Sequence, residues 1–148
     1  MPKSTRSFLF PDINVWIALT YRRHVHYAPA KVWFDSLPDT VDLCFCRVTQ
    51  LGFLRLLTNA TVFGNQVCSQ VEAWKTYDDW IENGPALFLE EPSSLEQVFR
   101  NLSRSQQAAP NTWADSYIAA FAQATGVRLV TFDRALSRRS EGSLLLPS

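Results

Sequence analysis

Between Ala114 and Phe132 the chain changes its hydrophobic period once, and that change dictates much of what it can build. Apolar side chains fall at Ala114, Tyr117, Ile118, Phe121 and Ala122, three and four apart, so the segment as far as Thr125 predicts an amphipathic helix. Gly126 stands where a helix stops, and Thr112 lies three before Asp115, a short-acid variant of the capping box. Val127–Phe132 then reads as a short buried strand. The helix covers about 16 Å at roughly 1.5 Å per residue. The strand returns about 20 Å at roughly 3.3 Å per residue. Asp115, in the first helical turn, and Asp133, directly after the strand, therefore finish at the same edge of the molecule. Asp115 gains roughly 0.3–1 kcal/mol from the helix dipole there. Asp133 gets no such help from the sequence pattern.

The rest of the chain repeats the alternation. Strand-like runs fall at Ser7–Phe10, ended by Pro11, and at Val41–Cys46, Ala86–Leu89 and Leu144–Leu146. Helical patterns occupy Asn14–Arg22, Ala28–Leu37, Thr49–Thr58 and Ser69–Glu82, and Ser93 with Glu96 predicts a capping box for a helix from Ser94 to about Ser103. The segment between Thr58 and Ser69 reads as a loop. Short strands alternating with helices predict an α/β sandwich around a parallel sheet. Right-handed crossovers put every strand's C-terminal end on one side, where such sheets bind ligands. Asp12 and Asn14 follow the first strand, Thr49 and Gln50 the second, and Asp133 the fourth, while Asp115 begins the helix that leads into it. Three carboxylates from distant positions thus converge on one edge.

Length and composition set the frame for that site. A chain of 148 residues, 47% hydrophobic, predicts one domain over 1–148 with a substantial core. Fourteen basic residues balance fourteen acidic ones, so nucleic acid must be met by local patches and not by overall charge. Cys44, Cys46 and Cys68 lack zinc-ligand spacing and read as reduced, buried thiols. No apolar run reaches membrane-spanning length, and the expected location is cytoplasmic. Ten Phe and five Trp are a heavy aromatic load, and together with the apolar helices Asn14–Arg22, Ala28–Leu37 and Thr49–Thr58 they exceed what one small core needs and predict a homodimer with a groove for a partner helix.

Three acids without a basic neighbour repel one another unless a cation neutralises them. Hard oxygen donors select Mg²⁺ or Mn²⁺, which keep several waters and bind a few carboxylates together with substrate phosphate. Such a site predicts phosphodiester hydrolysis. The three carboxylates are expected close enough to share one hydrated cation, with repulsion raising at least one pKa without metal. His24 and His26 read as solvated or interhelical contacts, and Arg134, Arg138 and Arg139 as either phosphate contacts or a solvated face. A receiver domain would need an acidic pair after the first strand, and a haloacid-dehalogenase-type phosphatase would need Asp where Asn14 stands.

"FPDINVWIAL", "RVTQLGFLRLLTN" and "DSYIAAFAQATGVRLVTFD", in that order, resemble the PIN domain, specifically the VapC toxins of type II toxin–antitoxin systems. The resemblance runs from Phe10 to about Leu146. It implies a five-stranded parallel sheet flanked by helices, and metal-dependent endoribonuclease activity on cellular RNA blocked by a VapB-type antitoxin. By it, Asp12, Asp115 and Asp133 match the family's metal-binding acids, with Asn14 and Thr131 as accessory polar positions. Arg134, directly after Asp133, is the expected substrate contact among the arginines. Gln50 falls where the family usually has Glu. An amide there accepts a hydrogen bond but brings no charge to hold a second cation. The rival implication is a catalytically impaired PIN domain that acts as a binding module.

Overall fold

Each of the strand-like runs pairs, and each pairs in parallel. The protein, seen as a computed structural model that describes residues 6–148, places β1 (Ser7–Pro11), β2 (Val41–Phe45), β3 (Ala86–Phe88), β4 (Arg128–Thr131) and β5 (Leu144–Leu145) in one sheet of order β3-β2-β1-β4-β5. Every neighbouring pair is parallel. The first five residues of the expected single domain lie outside the described residues. The helices are α1 (Ile13–Thr20), α2 (Tyr27–Asp35), α3 (Arg47–Leu57), α4 (Ala60–Phe63), α5 (Gln70–Glu82), α6 (Leu95–Leu102), α7 (Trp113–Thr125) and α8 (Arg134–Arg138).

Strand alternation divides the core into two layers. Phe10, Cys44 and Leu129 face one way, onto Leu95 of α6, Ile118 and Phe121 of α7 and Leu136 of α8. Leu43 and Phe45 face the other way, onto Trp16 of α1, Phe53 and Leu57 of α3 and Tyr77 of α5. Val130 joins that second side through Val15, Ala18 and Ala30. Successive residues of a strand point to opposite faces, so apolar runs of this kind are buried on both. Trp16 stacks on Phe45 with ring centroids 3.9 Å apart. The aromatic load of α1 and α3 therefore fills the core of a single chain, which corrects the expectation that it exceeds what the core needs. What stays exposed is mainly aliphatic, Val25, Val32, Leu51 and Val71 foremost, together with the aromatic side chains Phe8, Trp74 and Trp113.

Two glycines mark close approaches or turns. A Cβ on Gly52 would lie 2.2 Å from Ile13 Cδ1, so a larger residue there would require the Ile13 side chain to move. Gly126 ends α7 at φ 79°, in the left-handed region, as its position after Thr125 predicted. Both expected caps near α6 and α7 fail. Ser94 is already helical in its backbone angles and makes no side-chain cap, while Glu96 pairs with Arg100. Pro110–Thr112 forms a 3₁₀ turn before α7, so Thr112 turns its hydroxyl back to the Ala109 carbonyl and caps nothing. The Thr58–Ser69 loop instead contains α4 and a 3₁₀ turn at Gly64–Gln66.

Candidate active site

Register at the C-terminal edge of the sheet brings the first acid to the fourth strand. Pro11 pairs with Val130, and the Asp12 amide donates to the Val130 carbonyl at 3.0 Å. That bond sets the Asp12 carboxylate beside Thr131. The Thr131 hydroxyl donates to Asp12 Oδ2 and accepts from the Asp133 amide at 2.9 Å, so one buried threonine ties both strand-end acids together. Asp12 Oδ1 accepts from the Val15 amide at 3.1 Å and caps α1. Asp133 Oδ1 likewise accepts from the Leu136 amide at 3.1 Å and caps α8. The expectation for Asp133 is thereby corrected: it has a helix to stabilise, one too short to read from its period. Asp115, in the first turn of α7, is the acid that caps nothing.

Charge at this edge is uncompensated. Among the described residues none of the three acids has an ion-pair partner within salt-bridge distance; the pairs that form are Arg6–Asp42, Lys31–Asp35 and Arg100–Glu96. Asp12 is only 6% exposed, and burial, with the nearby Asp133 charge adding to it, pushes its carboxyl up to about 6 against the pull of the Thr131 and Val15 hydrogen bonds. Asp115 is also raised, first by burial and then by Asp133, with Arg139 acting the other way. A raised pKa was expected, but from repulsion; burial is the larger cause. Asp133 is felt by both other acids, so the carboxylates form a chain with Asp133 in the middle. Among the described residues no three His, Cys, Asp or Glu side chains form a group that could hold a metal by themselves. Asp12 and Asp133 each give one oxygen to a helix end and keep the other. The donors at this edge are hard oxygens without an ion-pair partner among the described residues. They suit a hydrated divalent cation that takes few protein ligands and keeps its water.

The other expected residues are placed unequally. Asn14 is exposed on α1, two residues from Asp12, and Arg134 is exposed at the start of α8 beside Asp133. Gln50 is buried, but its Oε1 accepts from Arg47 Nη1 at 2.6 Å, and the Tyr77 hydroxyl lies against it. The Arg47 guanidinium rests over the Phe88 ring, 4.5 Å from its centroid. Among the described residues Gln50 makes no hydrogen bond to any of the three acids. Arg47 was missed in the sequence, although its spacing of three from Gln50 on a helix is the signal that finds such pairs. Arg139 is fixed by bonds from Nη2 to the Leu102 carbonyl at 2.9 Å and to Ser116 Oγ at 2.6 Å. The His26 amide donates to His24 Nδ1, while the His26 ring reaches across the chain to stack on Phe132, the residue before Asp133, with centroids 4.6 Å apart.

With this geometry in hand, comparison with known proteins is informative. Residues 9–142 match the PIN domain. The ribonuclease VapC41 of Mycobacterium tuberculosis is 37% identical over 134 residues, covering 88% of this chain and 92% of that protein. In solved structures, VapC20 of Mycobacterium tuberculosis, described as a sarcin–ricin loop cleaving toxin, superposes with a TM-score of 0.65 at 18% identity, over 95% of this chain and all of that one. VapBC2 from Rickettsia felis, solved on a DNA fragment from its promoter, gives 0.59 at 11% identity, over 93% of this chain and 96% of that one. These two share the fold.

Proposed function

Because the chain belongs to the PIN-domain family, with a VapC ribonuclease as a relative along most of its length, we propose that it is a divalent-metal-dependent endoribonuclease of the VapC toxin type. The observation that carries the reading is the group of three carboxylates, two of them with raised pKa values, on a sheet edge where none has an ion-pair partner among the described residues. Asp12, Asp133 and Asp115 would hold Mg²⁺ or Mn²⁺, directly or through water. When bound, the cation supplies Lewis acidity toward water and toward the scissile phosphate. Thr131 keeps Asp12 and Asp133 in one orientation, and Asn14 and Arg134 flank the edge where RNA phosphate would pass.

The rival reading, a silent binding module, rests on Gln50. Its amide is spent on Arg47 and not on the acids, so the replacement leaves the Asp12–Thr131–Asp133 arrangement intact. Titration of Mg²⁺ and Mn²⁺ into metal-free protein with total RNA tests the proposal. Cleavage should rise with either cation and vanish in chelator; cleavage indifferent to chelator would overturn it.

The same proposal includes partners and setting. A VapB-type antitoxin would lay an amphipathic segment over exposed apolar positions on the helices, Val32, Leu51 and Val71 among them. We expect one PIN domain over 1–148 acting as a homodimer in the cytoplasm. No helix among the described residues is long and apolar enough to cross a membrane. Light scattering on the isolated protein checks the dimer, and a monomeric mass across the micromolar range would remove it.

A further inference from the structure

Beside Asp115 the surface sinks into a cavity of about 410 Å³ that none of the acids lines. It lies between the end of α6, the connection that leads to α7, and Arg139. Its wall is polar through Ser105, Gln107, Thr112 and Ser116, with one aromatic side chain, Trp113. Trp113 is 56% exposed, an unusual state for the largest side chain in a protein that buries Trp16 completely. It is nevertheless held: Phe99 packs against it in a T-shaped contact, 6.2 Å between centroids at 76°, while the residue stays more than half open to solvent. Arg139 is held as well. Its Nη2 is engaged by the Leu102 carbonyl and Ser116 Oγ, while among the described residues Nε and Nη1 have no hydrogen-bond partner. A fixed cation and a fixed aromatic plane thus share one cavity. On α7, Trp113 lies two residues before Asp115 and Ser116, which holds Arg139, one after it, so the cavity adjoins the acidic edge.

We propose that this cavity is a nucleotide subsite, in which one unpaired base of RNA stacks on Trp113 while the adjoining phosphate meets Arg139. The inference rests on the ribonuclease reading of the acidic edge and says which substrates that edge accepts. The cavity's size falls in the range that small ligands fill, roughly 300–1,000 Å³, and holds a single nucleotide unit. Every base has a π-face, so stacking selects for single strands without selecting a sequence. A duplex keeps its bases stacked on each other and presents none to Trp113. Guanidinium donors fixed in advance suit a phosphate, because no side-chain ordering remains to oppose binding. RNA bound this way runs from Arg139 across Asp115 to Asp133, which sets the scissile phosphate next to the stacked nucleotide.

The test is fluorescence anisotropy with a labelled single-stranded RNA dodecamer of mixed sequence, using the full chain with Ca²⁺ in place of Mg²⁺. Trp113→Ala should weaken binding about tenfold. Trp113→Phe should recover most of the loss, and a duplex of the same sequence should bind more weakly than the single strand. Arg139→Gln should flatten the salt dependence of log K by about 0.7, one phosphate's worth for a single strand, with Arg139→Lys restoring it. In cleavage assays the Trp113→Ala loss should fall on KM and not on kcat. An unchanged Kd for Trp113→Ala, or an unchanged salt slope for Arg139→Gln with circular dichroism intact, overturns the subsite. Wild-type cleavage with KM unmoved in Trp113→Ala removes the subsite and leaves the nuclease standing. Trp113-dependent binding of an RNA that neither Mg²⁺ nor Mn²⁺ lets the protein cut establishes the subsite and removes the nuclease.

Discussion

The two halves of the sheet's C-terminal edge handle charge in opposite ways. On the β2–β3 half, Arg47 is answered from within: Gln50 accepts its hydrogen bond and Phe88 lies under its guanidinium. On the β1–β4 half, Asp12, Asp133 and Asp115 are gathered with hydroxyl and amide donors but no cation within salt-bridge distance among the described residues. Both halves follow the same strand ends and the same crossover geometry. The difference teaches where the fold is complete and where it waits for something. Burial of a charge without a partner costs several kcal/mol in most settings, so a chain that keeps one has a use for it.

The sharpest way to break the comparison is to remove the unanswered charge. Asn is as good a helix cap as Asp, so Asp12→Asn should preserve the start of α1 while deleting the carboxylate. RNA cleavage in Mg²⁺ should drop on the order of 10³-fold, and the melting temperature of metal-free protein should rise. A variant that cleaves like wild type would move the chemistry away from this edge.

The next effect is one of stability against pH. Asp12 rises from an ordinary 3.8 to about 6 on folding, so between those values the folded state holds a proton that the unfolded chain has released. In metal-free protein the contribution of Asp12 is therefore full below about pH 4, and roughly 3 kcal/mol of it is lost as pH rises past about 6. Saturating divalent cation, which favours the ionised form, should flatten the curve. Urea melts at closely spaced pH values measure both, and a stability that rises over this window without metal would contradict the buried, unpaired state of Asp12.

Thr131 offers a smaller test on the same half. Thr131→Val removes the donor to Asp12 and the acceptor for the Asp133 amide at nearly constant volume. The expected loss is about 1–3 kcal/mol, measured by denaturant unfolding, with cleavage reduced because both acids lose their common anchor. A loss of stability without any loss of rate would show that Thr131 serves the fold alone.

Several of these features are visible in the sequence and several are not, for physical reasons. Strands and long helices announce themselves through period, and the convergence of Asp12, Asp115 and Asp133 on one edge follows from helix and strand rise. Helices of four and five residues, α4 and α8, carry too few positions to show a period, so the capping role of Asp133 was hidden with α8. Thr112 was read as a cap because sequence spacing does not reveal that Pro110 starts a 3₁₀ turn before it. The exposed face of Trp113 was invisible for another reason: at the start of an apolar helix, tryptophan reads as core. The Arg47–Gln50 contact was within reach, since residues three apart on a helix meet.

That contact also sets the smallest prediction, and the one that most directly joins the two halves. Restoring Glu at position 50 would seem to give the edge a fourth acid. In this structure a carboxylate there meets Arg47 first, at the 2.6 Å position now held by the amide oxygen. Gln50→Glu alone should therefore change divalent affinity by less than about threefold, since a buried, hydrogen-bonded pair keeps its charge at home. Removing the competitor should release it. The double variant Arg47→Gln with Gln50→Glu should bind Mn²⁺ more tightly than either single variant, by roughly 1 kcal/mol or more of coupling in the mutant cycle. Isothermal titration on the four proteins reads this directly. Additive effects would mean that Gln50 and the acids share no cation, and that the two halves of the edge are electrically independent. A strong gain from Gln50→Glu alone would mean that Arg47 yields its partner readily, and that the completed half of the edge is held less firmly than its geometry implies.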